Sequence, residues 1–553
     1  MRREQLVAPG GPFEVGRGDD GVLRYVNAPR TLVEFVEATW AYRDRVFLVG
    51  DDASYTYGEF FAAATALARR LVDEYGMRPG ERAAVVMRNH PEWQIAFWAA
   101  QFAGLVTVPL NTWWTADELG AALDDCTPRV LLVDGERLPR VAGWARRVGA
   151  RGVVFRGEAG AGAGAEGFER YEDLPAADPY GAPPVVEIRP EDDATILYTS
   201  GTTGRPRGAV ATQLAQAGAA VHPRFHAAVA VLARGGVPGA GPAPVALMTY
   251  PFFHAAAFTH VYSVMAVGGT IVLMREWDAE AALELIDRYR VTHFSGVPTT
   301  ALRLLDAAER AGHELASLTH LSTGGAAPPP ALAARVAERY GGRIEPRTGY
   351  GLTETCGGVL AHFGDAYRAD PAAAGIPAPA VEVRTDEHGE LWLRGQSLVR
   401  GYWRDPQATA AAFTADGWFR TGDLAVLGVR GDEEGGGESR IAVVDRIKDI
   451  VIRGGENVYC AEVEGVLLGH PAVEDAAVVG VPHPELGEEV AAVVRLRAGA
   501  EAGPDELRRY AGERLAAFKV PAYVVPGDVP RNAAGKVLKR ELRESAALAV
   551  VGA

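Results

Sequence analysis

Tyr198-Thr199-Ser200-Gly201-Thr202-Thr203-Gly204-Arg205-Pro206-Arg207-Gly208 follows directly on the apolar run 195–198. A buried strand therefore opens into a loop whose three glycines let backbone N–H groups crowd round an anion. Four hydroxyls and two arginines add donors for phosphate oxygens. No Gly-Lys-Ser/Thr closes the loop, so it is not a Walker A sequence. The flanking sequence has α/β character. Continuous apolar runs at 83–87, 130–133, 152–155 and 195–198 suit strands buried on both faces, and helical patterns at 279–289 and 331–340 alternate with strand signals. Thr56-Tyr57-Gly58-Glu59 reads as a capping box that starts a helix with Phe60, Ala64, Leu67, Ala68 and Leu71 on one face. Residues 1–445 are expected to form a large α/β domain of layered helices and largely parallel sheets.

Beyond residue 445 the elements become shorter. Apolar runs at 476–479 and 490–496 and a helical pattern at 504–515 suggest that residues 446–553 form a small, mobile α+β domain, joined by a hinge near 445–450. Segments 157–167 and 430–439, rich in glycine, read as surface loops. Gly436-Gly437-Glu438-Ser439 looks like a phosphopantetheine attachment sequence, but no apolar helix follows it, and that reading is rejected.

The chain has 553 residues, more than one simple core accommodates. With 48% apolar and 23% charged residues its composition is globular. The balance of 56 Lys+Arg against 71 Asp+Glu, net −15, lacks the basic footprint of a nucleic-acid partner. Cys126, Cys356 and Cys460 are too scattered for a disulfide framework or a zinc site, and a reducing, cytoplasmic location is expected. Residues 235–274 carry no Asp, Glu, Lys or Arg and exceed the ~20 residues that a membrane helix needs. Pro238, Pro242, Pro244, Pro251, Gly268 and Gly269 interrupt them, so buried strands and a pocket wall are expected, with no integral span and at most peripheral membrane contact. Only Lys448, Lys519, Lys536 and Lys539 among the basic residues are lysine. A coding bias toward arginine accounts for the rest, and the exceptions mark positions where a compact charge on a flexible stem differs from a planar fork.

Four further stretches carry chemistry: Gly349-Tyr350-Gly351-Leu352-Thr353-Glu354-Thr355, Gly417-Trp418-Phe419-Arg420-Thr421-Gly422-Asp423, Asp445-Arg446-Ile447-Lys448-Asp449-Ile450 followed by Gly454-Gly455-Glu456-Asn457, and Pro530-Arg531-Asn532-Ala533-Ala534-Gly535-Lys536. With the loop 198–208, these five motifs lie in order over about 340 residues. They resemble the adenylate-forming superfamily, which includes acyl-CoA synthetases, luciferases and peptide-synthetase adenylation domains. The pattern is nearest to fatty acyl-CoA synthetases. One position departs: Pro-Arg-Gly at 206–208 stands where the family usually has Pro-Lys-Gly, and Arg207 still supplies a clamp for phosphates.

The resemblance implies ATP, Mg²⁺ and coenzyme A as reactants and cofactor, and it distributes roles over the motifs. Thr199, Ser200, Gly201, Thr202, Thr203, Gly204 and Arg207 would hold phosphates, with Glu354 and Thr202 at the metal. Gly349, Tyr350 and Gly351 would face adenine, Thr353 the α-phosphate, Asp423 the ribose hydroxyls, and Arg446 ribose or phosphate. Lys536 would be catalytic, bridging the acid carboxylate and the α-phosphate while they react. Lys448 would be the hinge, and Gly454 and Gly455 the passage for CoA; Lys519 and Lys539 would be ordinary surface residues or peripheral CoA contacts. Phe253 and His254 would gate an acyl pocket walled by small or apolar residues including Val297, Gly325 and Ala326.

No Asp or Lys in these pocket segments could pair with an amino-acid head group, which favours an apolar carboxylate. The expected function is an ATP-dependent medium- or long-chain fatty acid–CoA ligase that works through acyl-AMP and releases pyrophosphate and AMP. An aryl-acid CoA ligase, an enzyme loading a carrier protein in trans, a luciferase-like oxygenase and a catalytically dead nucleotide-binding protein are the alternatives.

Overall fold

The apolar runs at 83–87 and 130–133 become the strands Arg82–Val86 and Val130–Asp134, parallel neighbours in the middle of an eight-stranded sheet. Its order is Gly401–Tyr402, Arg207–Thr212, Asp193–Thr199, Val106–Pro109, Arg82–Val86, Val130–Asp134, Arg151–Phe155 and Phe168–Arg170. Pairing is parallel from Asp193–Thr199 to the Phe168–Arg170 edge and antiparallel at the other end. A second sheet of nine strands places Val46–Val49, Thr270–Leu273, Val245–Met248, His293–Gly296, His320–Thr323 and Glu345–Leu352 in one parallel block. The structure is a computed structural model and describes residues 3–157, 167–199, 206–429, 439–532 and 535–545.

One core joins the two sheets. It contains Val85, Leu132 and Phe155 from the first, Phe47, Ile271 and Leu273 from the second, and the helices Tyr57–Arg69, Pro91–Phe102 and Ala255–Met265. The capping box forms as expected: the Thr56 hydroxyl accepts from Glu59 N, and the Glu59 carboxylate accepts from Thr56 N. Every residue of Pro91–Phe102 is buried, and its three polar side chains, Glu92, Gln94 and Gln101, are hydrogen-bonded. Just before it, the Asn89 amide donates to Tyr250 O at 2.8 Å and accepts from Phe252 N at 2.9 Å. That clasp ties the end of the first sheet to the loop leaving Val245–Met248 in the second.

A four-stranded sheet (Val381–Thr385, Glu390–Gly395, Phe419–Val429, Ser439–Arg446) completes the large N-terminal domain. Arg446 is still in it, paired with Asp423, so the chain leaves this sheet one residue later than the expected start of the small domain. The 3₁₀ turn Ile447–Asp449 follows, and Val451–Arg453 enters the five-stranded sheet of the C-terminal domain. That sheet is mainly the long hairpin Val473–His483 and Gly487–Leu496, flanked by Cys460–Leu468 and Pro504–Gly512.

Lys539 corrects one sequence expectation. It starts the short helix Lys539–Glu544, and its ammonium is buried in an ion pair with Glu464 at 3.0 Å. Opposed charges there outweigh desolvation, so the ammonium is held well above its usual range. Residues 235–274 form strands, a helix and loops whose side chains wall a cavity; among the described residues no helix is long and apolar enough to cross a membrane. Of the two low-complexity segments, 158–166 and 430–438 lie outside the described residues.

Candidate active site

The strand Asp193–Thr199 and its antiparallel partner Arg207–Thr212 bracket the glycine-rich loop, with Thr199 opposite Arg207 at its neck. Ser200, Gly201, Thr202, Thr203 and Gly204 lie outside the described residues. Thr199 and Arg207 face a cavity of about 2160 Å³, which reaches from this neck, past Lys536, to the far side of the nine-stranded sheet.

Glu345–Leu352 delivers the next group. Its last turn is fixed by the Thr355 hydroxyl, which accepts from Leu352 N at 2.8 Å and donates to Gly357 O at 2.6 Å. Gly351 passes so close to the neighbouring strand that a Cβ there would meet Gly357 O at 2.0 Å, so only glycine fits. Gly349, Tyr350, Gly351, Thr353 and Glu354 all line the cavity. Glu354 accepts from the Tyr402 hydroxyl at 2.8 Å, and Arg207 lies over the Tyr402 ring and 3.8 Å from Asp405.

Tyr350, Asp423 and Arg446 form one unit. The Tyr350 hydroxyl donates to Asp423 Oδ2 at 2.6 Å, and Arg446 Nε lies 3.3 Å from Asp423 Oδ1. Asp423 is 3% exposed and sits behind the wall that Tyr350 and Arg446 present to the cavity. Burial raises the Asp423 carboxyl from its ordinary range, and Arg446 opposes that shift; burial beside Asp423 also pushes the Tyr350 phenol far up.

Lys536 reaches the same space from the small domain. Its loop is tied by Asn532, whose N donates to Lys536 O at 2.9 Å and whose Oδ1 accepts from Lys536 N at 2.9 Å. Arg531 anchors the loop bidentately on Asp475, at 2.6 and 3.0 Å, and donates to Gly535 O. Gly535 has φ +77°, and a Cβ on it would come within 2.8 Å of Val297. The ammonium forms no ion pair among the described residues. Burial, then the charges of Arg446 and Lys448, lower it to about 8. Two further contacts hold the domains in this arrangement: Arg497 to Asp306 at 2.7 Å and Arg303 to Glu474 at 3.6 Å.

Phe253, His254 and Gly325 line the cavity, whereas Val297 and Ala326 do not. Val297 heads the helix Pro298–Arg310 and packs against the lysine loop instead. His254 caps Ala255–Met265 by accepting from Ala256 N at 3.2 Å. Burial first, and Lys536 second, lower it to about 4, so it is neutral at pH 7. Gly454 (φ +59°) and Gly455 (φ +88°) form the exposed tip of the hairpin Val451–Arg453/Glu456–Val458 and are not part of the cavity wall. Lys448 is exposed and lines the mouth.

Residues 35–403 match the family described as AMP-binding enzyme, and residues 462–536 match the AMP-binding enzyme C-terminal domain. The chain belongs to the AMP-binding enzyme family. It is thus an enzyme of the adenylate-forming superfamily. Among its relatives, a feruloyl-CoA synthase from Amycolatopsis is 36% identical over 88% of this chain and 93% of its own. The long-chain-fatty-acid–CoA ligase FadD13 of Mycobacterium tuberculosis is 35% identical over 88% and 92%. Among solved structures, o-succinylbenzoate CoA synthetase from Bacillus subtilis, in complex with its acyl-adenylate intermediate, superimposes with a TM-score of 0.75 at 27% identity over 93% and 98%.

For a metal that arrives with ATP, the AMP-binding enzyme offers Glu354, a hard oxygen donor at the phosphate end of the cavity, which suits an ion held by one carboxylate and substrate phosphates. No group of three or more His, Cys, Asp or Glu side chains arranged for a metal occurs among the described residues. Sequence reasoning missed the far end of the cavity. There His293, Ser295, His320, Ser322 and Arg347 line the wall, delivered by three adjacent strands. The signal was present in Thr292-His293-Phe294-Ser295, Thr319-His320-Leu321-Ser322 and Glu345-Pro346-Arg347, each with polar residues at i and i+2 within an otherwise buried strand.

Proposed function

We propose that this AMP-binding enzyme is an AMP-forming acyl-CoA ligase for a carboxylic acid with a bulky apolar body, a medium- or long-chain or aryl acid. The observation that carries the reading is the single cavity in which Lys536, Arg446, Tyr350 and Glu354 meet at one end while His254 and the helix Ala255–Met265 continue it toward the sheet. An acid placed along it has its carboxylate beside Lys536 and its body against Ala256, Thr259, Ser263 and Val264. The fatty-acid reading draws on the length of that passage. The aryl-acid reading draws on the stack of His260 on Tyr250, ring centroids 5.1 Å apart, in the same wall.

In the first half-reaction a carboxylate oxygen attacks the α-phosphorus of ATP and the bond to pyrophosphate breaks. Lys536 lies between the two anions, offsets their repulsion and holds them in line. Its lowered pKa reflects burial first and the neighbouring cations second, before substrates enter; the two anions restore the charged form. Thr199 and Arg207 steady the departing phosphates, Glu354 is the residue placed to hold Mg²⁺, and the ion when bound would neutralise phosphate charge. The Tyr350–Asp423–Arg446 unit orients the nucleoside, with Asp423 accepting from ribose hydroxyls once a nucleotide displaces part of its present bonding. In the second half-reaction the small domain turns about Lys448, withdraws Lys536 and brings the Gly454–Gly455 tip to the acyl-adenylate, where the CoA thiol attacks the acyl carbon and AMP leaves.

Acid-dependent exchange of pyrophosphate into ATP, followed by CoA-dependent AMP release across alkyl and aryl acids, tests the reading. Exchange with no acid in the series would refute it, and carrier-protein acylation without CoA turnover would replace its second half.

A further inference from the structure

The far end of the cavity is charged. The register places His293, His320 and Glu345 side by side across three parallel strands, and Ser295, Ser322 and Arg347 in the next inward row. The Arg347 Nε donates to Glu345 Oε1 at 2.6 Å, and Arg234, at the end of the helix Gln213–Ala233, pairs with the other oxygen of the same carboxylate. Two guanidinium groups thus share one buried carboxylate, leaving a net positive charge in this group of three. The Arg347 side chain makes no other hydrogen bond among the described residues, so its terminal NH₂ groups are left to whatever enters the cavity it lines. His293 and His320 stack at 4.1 Å with an interplanar angle of 19°, each with Nδ1 occupied by the hydroxyl of the preceding threonine, at 2.8 Å. Burial, and next the Arg347 charge, hold both rings far below their ordinary pKa, so neither adds a charge. Burial and Arg234 also disfavour the Arg347 charge, a cost that an additional acceptor would relieve.

We infer that Arg347, flanked by His293 and His320, receives a second oxygen acceptor on the acid substrate, a carboxylate, ketone or phenolic oxygen remote from the reacting carboxyl group. Arg347 precedes Tyr350 by three residues on one strand, roughly 10 Å at ~3.3 Å per residue, which sets the scale of the separation. A plain alkyl tail would bring methylene groups against an unsatisfied guanidinium, whereas an oxygen acceptor completes its hydrogen bonds. The inference rests on the acid–CoA ligase reading and narrows its substrate class to apolar acids with a polar far end.

Matched pairs of acids test it: octanoate against octanedioate, and 3-phenylpropanoate against its 4-hydroxy and 4-carboxy derivatives, scored by kcat/KM for acid-dependent AMP release with CoA. The intact enzyme should favour the oxygen-bearing member of a pair by ~10- to 100-fold, the range expected when a buried charged donor is satisfied or left bare. Arg347→Met should bring that ratio to about one. Should this variant not fold, Arg347→Lys, which keeps a charge beside Glu345 but loses the fork, should reduce the ratio severalfold. Equal use of both members by the intact enzyme, or an equal loss for both in either variant, would overturn the inference and leave Arg347 a structural partner of Glu345. Those results keep the ligase reading. Absence of exchange with every acid would defeat both.

Discussion

At the end proposed for the nucleotide the cavity is walled by turns and loops: the neck at Thr199 and Arg207, the 3₁₀ turn that opens with Thr353 and Glu354, the strand end at Arg446, and the loop carrying Lys536. At the end proposed for the acyl group the wall is the pleated face of a parallel sheet, to which adjacent strands give His293, His320 and Arg347 one at a time. In the proposed mechanism the first arrangement holds the groups that any acid must use. The second can change one side chain per strand without disturbing a motif. The difference separates chemistry from selectivity, and substitutions at the two ends should fail in different ways.

The largest effect is expected from Lys536→Ala. Adenylation should fall by ~10²- to 10³-fold for every acid, while reaction of supplied acyl-AMP with CoA persists. A comparable loss in both half-reactions, or a loss that depends on the acid, would erase the division between the two ends. Asp423→Asn should come next. It weakens the acceptor for ribose and the partner of Arg446, so kcat/KM for ATP should drop by ~10- to 100-fold, with the ranking of acids unchanged. A reordered series would show that this end also selects the acid.

Gly535→Ala should slow adenylation by about tenfold. The new methyl meets Val297 and strains a residue at φ +77°, a conformation that costs an L-residue roughly 1–2 kcal/mol. Adding Val297→Ala should recover part of the rate, which stopped-flow pyrophosphate release would detect. The smallest effect concerns pH. The Lys536 ammonium titrates at about 8, so the charged form prevails at pH 7 and is lost as pH rises. The kcat/KM for adenylation, which reports the free enzyme, should decline through pH 8 to 9, whereas His254 at about 4 and His293 at about 3 are neutral throughout that range. A kcat/KM profile flat to pH 9.5 would contradict the Lys536 assignment, and a break near pH 6 would implicate the histidines.

The same contrast explains what the sequence revealed. Motifs at the nucleotide end are contiguous because a turn needs its glycines and hydroxyls next to one another: Gly351 is forced by Gly357, and Thr355 closes the turn that presents Glu354. The strands and the Thr56 cap were legible for a related reason, since periodicity and capping are local. The acyl end was not legible. Arg234, at the end of a helix, lies 111 and 113 residues from Glu345 and Arg347 on their shared strand and meets them only through tertiary packing, so the apolar look of segments 251–257 and 324–327 concealed a charged floor. Val297 and Ala326 were misplaced because nearness in sequence to a pocket segment does not fix where a side chain points. Lys539 was misread because Glu464, its partner, sits on a helix 75 residues earlier.

The uneven pairing of the lysines has a practical consequence for chemical labelling. Lys539 is locked by Glu464 and Lys519 by Glu462, whereas Lys536 titrates at about 8 without a carboxylate partner among the described residues. An amine-selective acylating reagent at mild alkaline pH therefore has two lysines without such a partner to choose between, Lys536 and the exposed Lys448, in a protein whose other side-chain cations are guanidinium groups or the two paired ammoniums. A fluorophore attached at Lys536 would inactivate the molecule it marks. In a Lys448→Arg background its emission would nonetheless report whether the small domain still docks, giving a single-site signal without engineered cysteines.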